Sequence, residues 1–185
     1  MGSEMCIRDR YICTAYLSPS NSSYVSKLDY SLFDTLEQEV ASYCNKGQVI
    51  LMGDFNSRTG TLADNVTSVN PNIIPQADTV CYDTKCVPRK SQDSVVTCSY
   101  CKQLIDLCIS SGLKIVNGRL LGDPVGRYTC HKYNGSSVVD YVLADNTVLS
   151  HLRYFIVNPL TDHSCLLYTS PSPRDLSTSR MPSSA

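Results

Sequence analysis

The sequence predicts a globular α/β domain built on a mixed β-sheet, and three observations carry that prediction. The opening alternates strand, helix and strand. A second helical stripe follows, with further short apolar strands behind it. Finally, 42% hydrophobic against 18% charged residues in a 185-residue chain is enough for one core and too apolar for a disordered segment.

Residues 11–17 are apolar and β-prone and stop at Ser18-Pro19, a strand entering a loop. Apolar residues then recur at Val25, Leu28, Leu32, Leu36, Val40 and Tyr43. These steps of three and four predict an amphipathic helix ending near Gly47. Val49-Ile50-Leu51-Met52 reads as a strand covered on both faces, with Gly53 bending the backbone as it leaves the sheet. From 57 to 93 the pattern dissolves into Asn, Pro, Asp and Thr, a long surface excursion of the kind that is usually functional or disordered. Cys101, Leu104, Ile105 and Cys108 mark a helix closed by Ser111-Gly112, and 113–116 a strand. Strands at 128–132 and 137–143 flank Asn134-Gly135 as a hairpin, and 153–157 forms a last strand before Asn158-Pro159. There is no internal repeat.

A formal net charge of -1 excludes a bulk positive field, so any nucleic-acid contact must come from a local patch. No apolar run is long enough to span a bilayer and no signal-peptide core follows the N-terminus, so the ten cysteines read as reduced thiols, not as a disulfide framework.

The two ends read differently. Gly2-Ser3-Glu4-Met5-Cys6-Ile7-Arg8-Asp9 resembles the translation of a sequencing-library adapter. Cys165-Leu166-Leu167-Tyr168-Thr169-Ser170-Pro171-Ser172-Pro173-Arg174-Asp175 resembles the same DNA string translated from its reverse complement. Residues 1–10 and 165–185 are therefore expected to be dispensable, disordered adapter-derived tails around a domain at 11–164.

Asp54 and Asn56 sit two residues apart where the central strand ends, a spacing that aims both to one side of an extended chain. A carboxylate there can take a proton from water or hold a metal-bound one, and the amide can donate to a phosphate oxygen; the plain alternative is an Asp/Asn turn. Asp140 lies within Val138-Val139-Asp140-Tyr141-Val142-Leu143, where an ionised carboxylate needs a partner. His163, beside Asp162, is the candidate, since a carboxylate on one ring nitrogen fixes the tautomer and aims the other; a surface turn is the alternative. Cys81, Cys86, Cys98 and Cys101 have spacings that can close a tetrahedral zinc site, although Cys101 also belongs to the apolar helical stripe.

Gly53-Asp54-Phe55-Asn56, then Ser137-Val138-Val139-Asp140-Tyr141, then Asp162-His163-Ser164, in that order, resemble the signature of the endonuclease/exonuclease/phosphatase superfamily. Thr14-Ala15-Tyr16 is similar to the tyrosine-bearing strand of its apurinic-endonuclease branch. Gly53-Asp54-Phe55-Asn56-Ser57-Arg58-Thr59-Gly60, Asn117-Gly118-Arg119 and Asp140-Tyr141-Val142-Leu143 are most similar to the endonuclease domain of LINE-type retrotransposons.

The resemblance implies a DNase I-like four-layer α/β sandwich of two packed mixed sheets, here without the opening strands, and Mg2+- or Mn2+-dependent phosphodiester hydrolysis. It implies that Asp54 activates or orients water and that Asn56 holds it and the phosphate. Asp140 would partner His163, which stabilises charge on the phosphate; Tyr16 would contact the phosphate and Asp162 would lie near the metal. Asn117 is a candidate substrate contact, with a turn-forming Asn-Gly as the alternative. The implied partner is DNA, nicked by a monomer that is intracellular, nuclear and fused to a reverse transcriptase in the full-length protein. The family's early asparagine and metal-binding glutamate have no match before Tyr11, so the metal site is expected to be incomplete and this chain inactive by itself. The rival readings are a phosphatase or exonuclease of the same superfamily and a non-catalytic, zinc-ordered interaction module. Joint retention of Asp54, Asn56, Asp140 and His163 argues against the module.

Overall fold

The computed structural model describes residues 9–65, 87–96, 99–133 and 135–158. Its elements in chain order are β1 (Asp9–Tyr16), a 3-10 turn (Val25–Lys27), α1 (Leu32–Cys44), β2 (Gly47–Asp54), α2 (Ser99–Ser111), β3 (Lys114–Ile115), β4 (Cys130–Lys132), β5 (Gly135–Ser137), β6 (Asp140–Ala144) and α3 (Asn146–His151). Strand β2 is central, pairing in parallel with β1 and antiparallel with β6; β6 carries β3 on its far side, giving the order β1-β2-β6-β3. β4 and β5 form a separate two-stranded sheet. The described residues thus have the expected α/β class and a mixed main sheet.

Alternation along β2 divides the sheet into two faces. Val49 and Leu51 point to the face covered by α1 and α2, where they join Phe33, Val40, Leu104, Leu107, Ile115 and Leu143 in one core. Fully burying each such side chain contributes about 1.5–3 kcal/mol. On the other face, Ile50 and Val142 pack against Val116, Ala144 and Val148, under α3 and the chain that follows it. Ile50 and Met52 are only half-buried, so β2 is sealed on one face and thinly covered on the other. Ile12 and Tyr16, on that second face of β1, remain 66% and 70% exposed.

Several sequence expectations are corrected. The helix expected from Val25 begins at Leu32: Ser31 is its N-cap, accepting the Asp34 N–H on its side chain, while Leu28 is extended. Gly53 does not end the strand, which runs on through Asp54. A Cβ at Gly53 would lie 1.8 Å from the Ala15 carbonyl oxygen, so close approach of β1 requires glycine. The strand expected at 137–143 is split into β5 and β6, because the intervening amides are taken by side chains: Val138 N–H by Asp93, and Val139 and Asp140 N–H by Thr129. The strand expected at 153–157 reduces to a single bridge between Leu121 and Tyr154. β1 starts at Asp9, inside the stretch assigned to the tail, since Asp9 and Arg10 extend the ladder to Gly47 and Gln48. Residues 1–8 and 165–185 lie outside the described residues.

Candidate active site

Register brings three of the expected residues into one row. Tyr16 on β1 is the partner of Asp54 on β2, and Asp54 is the partner of Asp140 on β6. Cross-strand partners share a face, so a phenol and two carboxylates line up on the thinly covered side of the sheet. Tyr16 is exposed and available to a bound molecule.

Asp54 is held by a local turn in which its Oδ1 accepts the Asn56 N–H at 2.9 Å. Burial pushes its carboxyl pKa up, against the opposing pull of that N–H and of the Lys132 charge on the β4–β5 hairpin. Asp140 is likewise raised, first by burial and also by the facing charge of Asp54, while the Thr129 hydroxyl acts in the opposite sense. Thr129 Oγ1 accepts the Val139 and Asp140 N–H groups, both at 3.1 Å, which leaves its own proton for the Asp140 carboxylate. Asp140 Oδ2 is buried and has no hydrogen-bond partner among the described residues.

Asn56 lies beyond the strand in the left-handed region, with φ of +46°. Strand alternation therefore does not apply to it. Its side-chain amide donates to the Leu17 carbonyl at 2.7 Å, tying the end of β1 to the loop after Asp54. Asn117 is 3% exposed and pins β6 from its β3 side: Nδ2 donates to the Asp140 carbonyl at 3.2 Å and Oδ1 accepts the Val142 N–H at 3.0 Å. It also borders a cavity of 400 Å³ beside Asp140, with Met52, Thr129, Phe155 and Ile156 on its walls. A neighbouring 260 Å³ cavity is bounded by Arg127, Tyr128 and His131, a cationic and aromatic wall.

The long excursion is anchored to the domain at both of its described ends. Ser57, Thr59, Asp64 and Asp93 are buried. Arg58 makes a two-pronged ion pair with Asp93 at 2.7 and 2.8 Å, and Arg119 makes one with Asp64 at 2.6 and 2.7 Å. The Tyr141 hydroxyl accepts the Thr59 N–H at 3.2 Å, and Arg89 donates to the Leu62 carbonyl at 2.9 Å. Hydropathy patterns cannot reveal such a network. Its one sequence signal is a set of arginines and aspartates spread through otherwise patternless stretches.

His163 and Asp162 lie outside the described residues, as do Cys81, Cys86 and Cys98. Cys101 is buried on α2. Among the described residues no group of three His, Cys, Asp or Glu side chains forms a metal cluster. Asp54 and Asp140 fit a hard divalent cation in donor type, supplying two carboxylates where such ions take six or more oxygens.

A mixed sheet carrying this Tyr-Asp-Asp row, with the ordered motifs around it, defines a protein of the endonuclease/exonuclease/phosphatase class. Residues 10–167 match the family model described as endonuclease-reverse transcriptase, and the chain belongs to that family, of retrotransposon type. Comparison with curated proteins and with solved structures gave no significant match.

Proposed function

We propose that the chain is the phosphodiester-cleaving part of a retrotransposon protein, a metal-dependent endonuclease that nicks DNA. The observation that carries this reading is the cross-strand pair Asp54–Asp140, in line with Tyr16 and beside an open cavity. Opposed, half-buried carboxylates are costly to a fold, and such arrangements concentrate where chemistry needs them.

Asp54, with its pKa raised, accepts a proton from the attacking water or orients it. Asn56 keeps the Asp54 carboxylate aimed through its N–H, which extends its role beyond direct contact with phosphate. Asp140 presents a buried oxygen with no partner among the described residues, of the kind that His163 needs in order to hold one tautomer and offer its other nitrogen to the phosphate. Tyr16 donates to a phosphate oxygen from the rim. Mg2+ or Mn2+, with Asp162 near it, would neutralise charge on the reacting phosphate. The 185-residue chain alone is expected to cleave poorly, because its described residues supply only two facing carboxylates to a hard cation. DNA as the partner, a fused reverse transcriptase, a monomeric state and a nuclear location belong to the same proposal.

The test is nicking of supercoiled plasmid in Mg2+ by the domain extended upstream, in parallel with a phosphomonoester and a 3′-recessed duplex. Open-circular product with little phosphate release supports the endonuclease. Preference for either other substrate would select the phosphatase or exonuclease reading.

A further inference from the structure

Asp93 is 2% exposed, yet its carboxylate accepts N–H groups from three separate parts of the chain. Arg58 donates to both oxygens, at 2.8 and 2.7 Å; Val138 N–H donates to Oδ2 at 3.1 Å and Val95 N–H to Oδ1 at 3.1 Å. Arg58 stands two residues after Asn56, and Val138 two residues before Asp140. One buried carboxylate therefore grips both the segment that leaves the Asp54 strand and the segment that enters the Asp140 strand. The Tyr141 hydroxyl spans the same gap, with its oxygen 3.0 Å from the Ser57 carbonyl and 2.9 Å from that of Val138.

We infer that Asp93 is a positioning residue: with Arg58 it clamps the exit of β2 to the entry of β6 and so fixes how Asp54 and Asp140 face each other. Its value for phosphodiester cleavage rests on the function proposed above; the clamp itself does not. An ionised carboxylate suits the task because it is acceptor-only and can take four donors in a fixed geometry. An asparagine of the same shape turns an NH2 group toward donors and must surrender the bonds on one side. Arg58 is about a third exposed, so water can take over its charge when the clamp opens and the loss stays local.

The experiment is native-state amide hydrogen exchange by NMR on the 185-residue chain, comparing parent, Asp93→Asn, Arg58→Lys and Asp145→Ala. The reporters are the amides of Asn56, which bonds the Asp54 carboxylate, and of Val139 and Asp140, which bond Thr129 Oγ1. Asp145 caps α3 and accepts the Val49 N–H, so its variant serves as a stability control at the opposite end of the β2–β6 pair. Asp93→Asn is expected to accelerate all three reporters on the order of tenfold or more, while amides in the middle of β2 keep their protection. Arg58→Lys should show the same pattern at smaller amplitude, and Asp145→Ala should leave the reporters at parent rates. Parent-like reporters in Asp93→Asn, or a uniform acceleration also seen in Asp145→Ala, would overturn the inference. If Asp93→Asn does not fold, Arg58→Lys decides by the same criterion. A chain that shows the reporter pattern while its extended form fails to cleave DNA keeps the clamp and loses the proposed function.

Discussion

Asp54 on β2 and Asp140 on β6 are direct cross-strand partners, so two carboxylates meet on one face of the sheet beside an open cavity. Like charges placed opposite each other weaken a strand pair, and burial makes the ionised forms costlier still. Both carboxyls are accordingly raised in pKa, and Asp54 contributes to the shift of Asp140.

A pH signature follows from that pair. Each group has a folded-state pKa above its unfolded value, so it stabilises the fold when protonated, and that contribution is lost as pH rises through the raised value. Asp54→Asn and Asp140→Asn should therefore be more stable than the parent at neutral pH, by up to about 1 kcal/mol given solvent screening of half-buried groups. The advantage should shrink toward zero as pH falls to the ordinary aspartate range near about 4. Thermal unfolding of parent and variants across this window measures it. A variant less stable than the parent at neutral pH would contradict the expected sign.

The Arg119–Asp64 pair should behave oppositely. Burial alone would raise the Asp64 carboxyl, but the two-pronged bond and charge of Arg119, together with the Ile115 N–H and the Arg89 charge, outweigh it, and the pKa ends below the usual value. Its stabilisation is present above the unfolded pKa and fades on acidification through the folded one. Arg119→Ala should cost about 3–5 kcal/mol by stranding a buried carboxylate. Arg58→Ala, at the more exposed pair, should cost less. Urea midpoints order the two, and a midpoint for Arg119→Ala close to the parent's would count against the pairing.

Gly53→Ala tests the approach of β1. At φ of +151° and with the Ala15 carbonyl oxygen 1.8 Å from the added Cβ, no side-chain adjustment relieves the clash, because the obstacle is backbone. The substitution should cost more than about 1 kcal/mol and loosen the β1–β2 ladder in hydrogen exchange. Protection of Cys13 and Ala15 amides at parent levels in a folded Gly53→Ala protein would defeat this reading.

How much of this was legible in the sequence depends on the kind of force involved. Strands β1 and β2 and the core stripe of α2 were readable because their burial writes a period into the hydropathy. The motifs single out Asp54 and Asp140, but their register as partners was not legible, since pairing joins distant segments. The break between β5 and β6 was invisible because Val138 and Val139 are apolar and β-prone; only Asp93 and Thr129, claiming their amides and that of Asp140, reveal it. Asn56 read as a strand residue because spacing carries no sign of φ, and the left-handed turn is fixed by the Asp54 and Leu17 bonds. The burial of Ser57, Thr59, Asp64 and Asp93 escaped for the same reason as the clamp: charges held by paired arginines look, in sequence, like a solvated loop.

The most direct measurement is single-turnover nicking of supercoiled plasmid in Mg2+ by the upstream-extended domain, comparing the parent with Asp54→Ala. If Asp54 is the group that handles the attacking water, the nicking rate should fall on the order of a hundredfold or more while DNA affinity stays near the parent's, because phosphate contacts elsewhere carry binding. Nicking by Asp54→Ala at the parent rate would remove the Asp54–Asp140 row from the reacting centre.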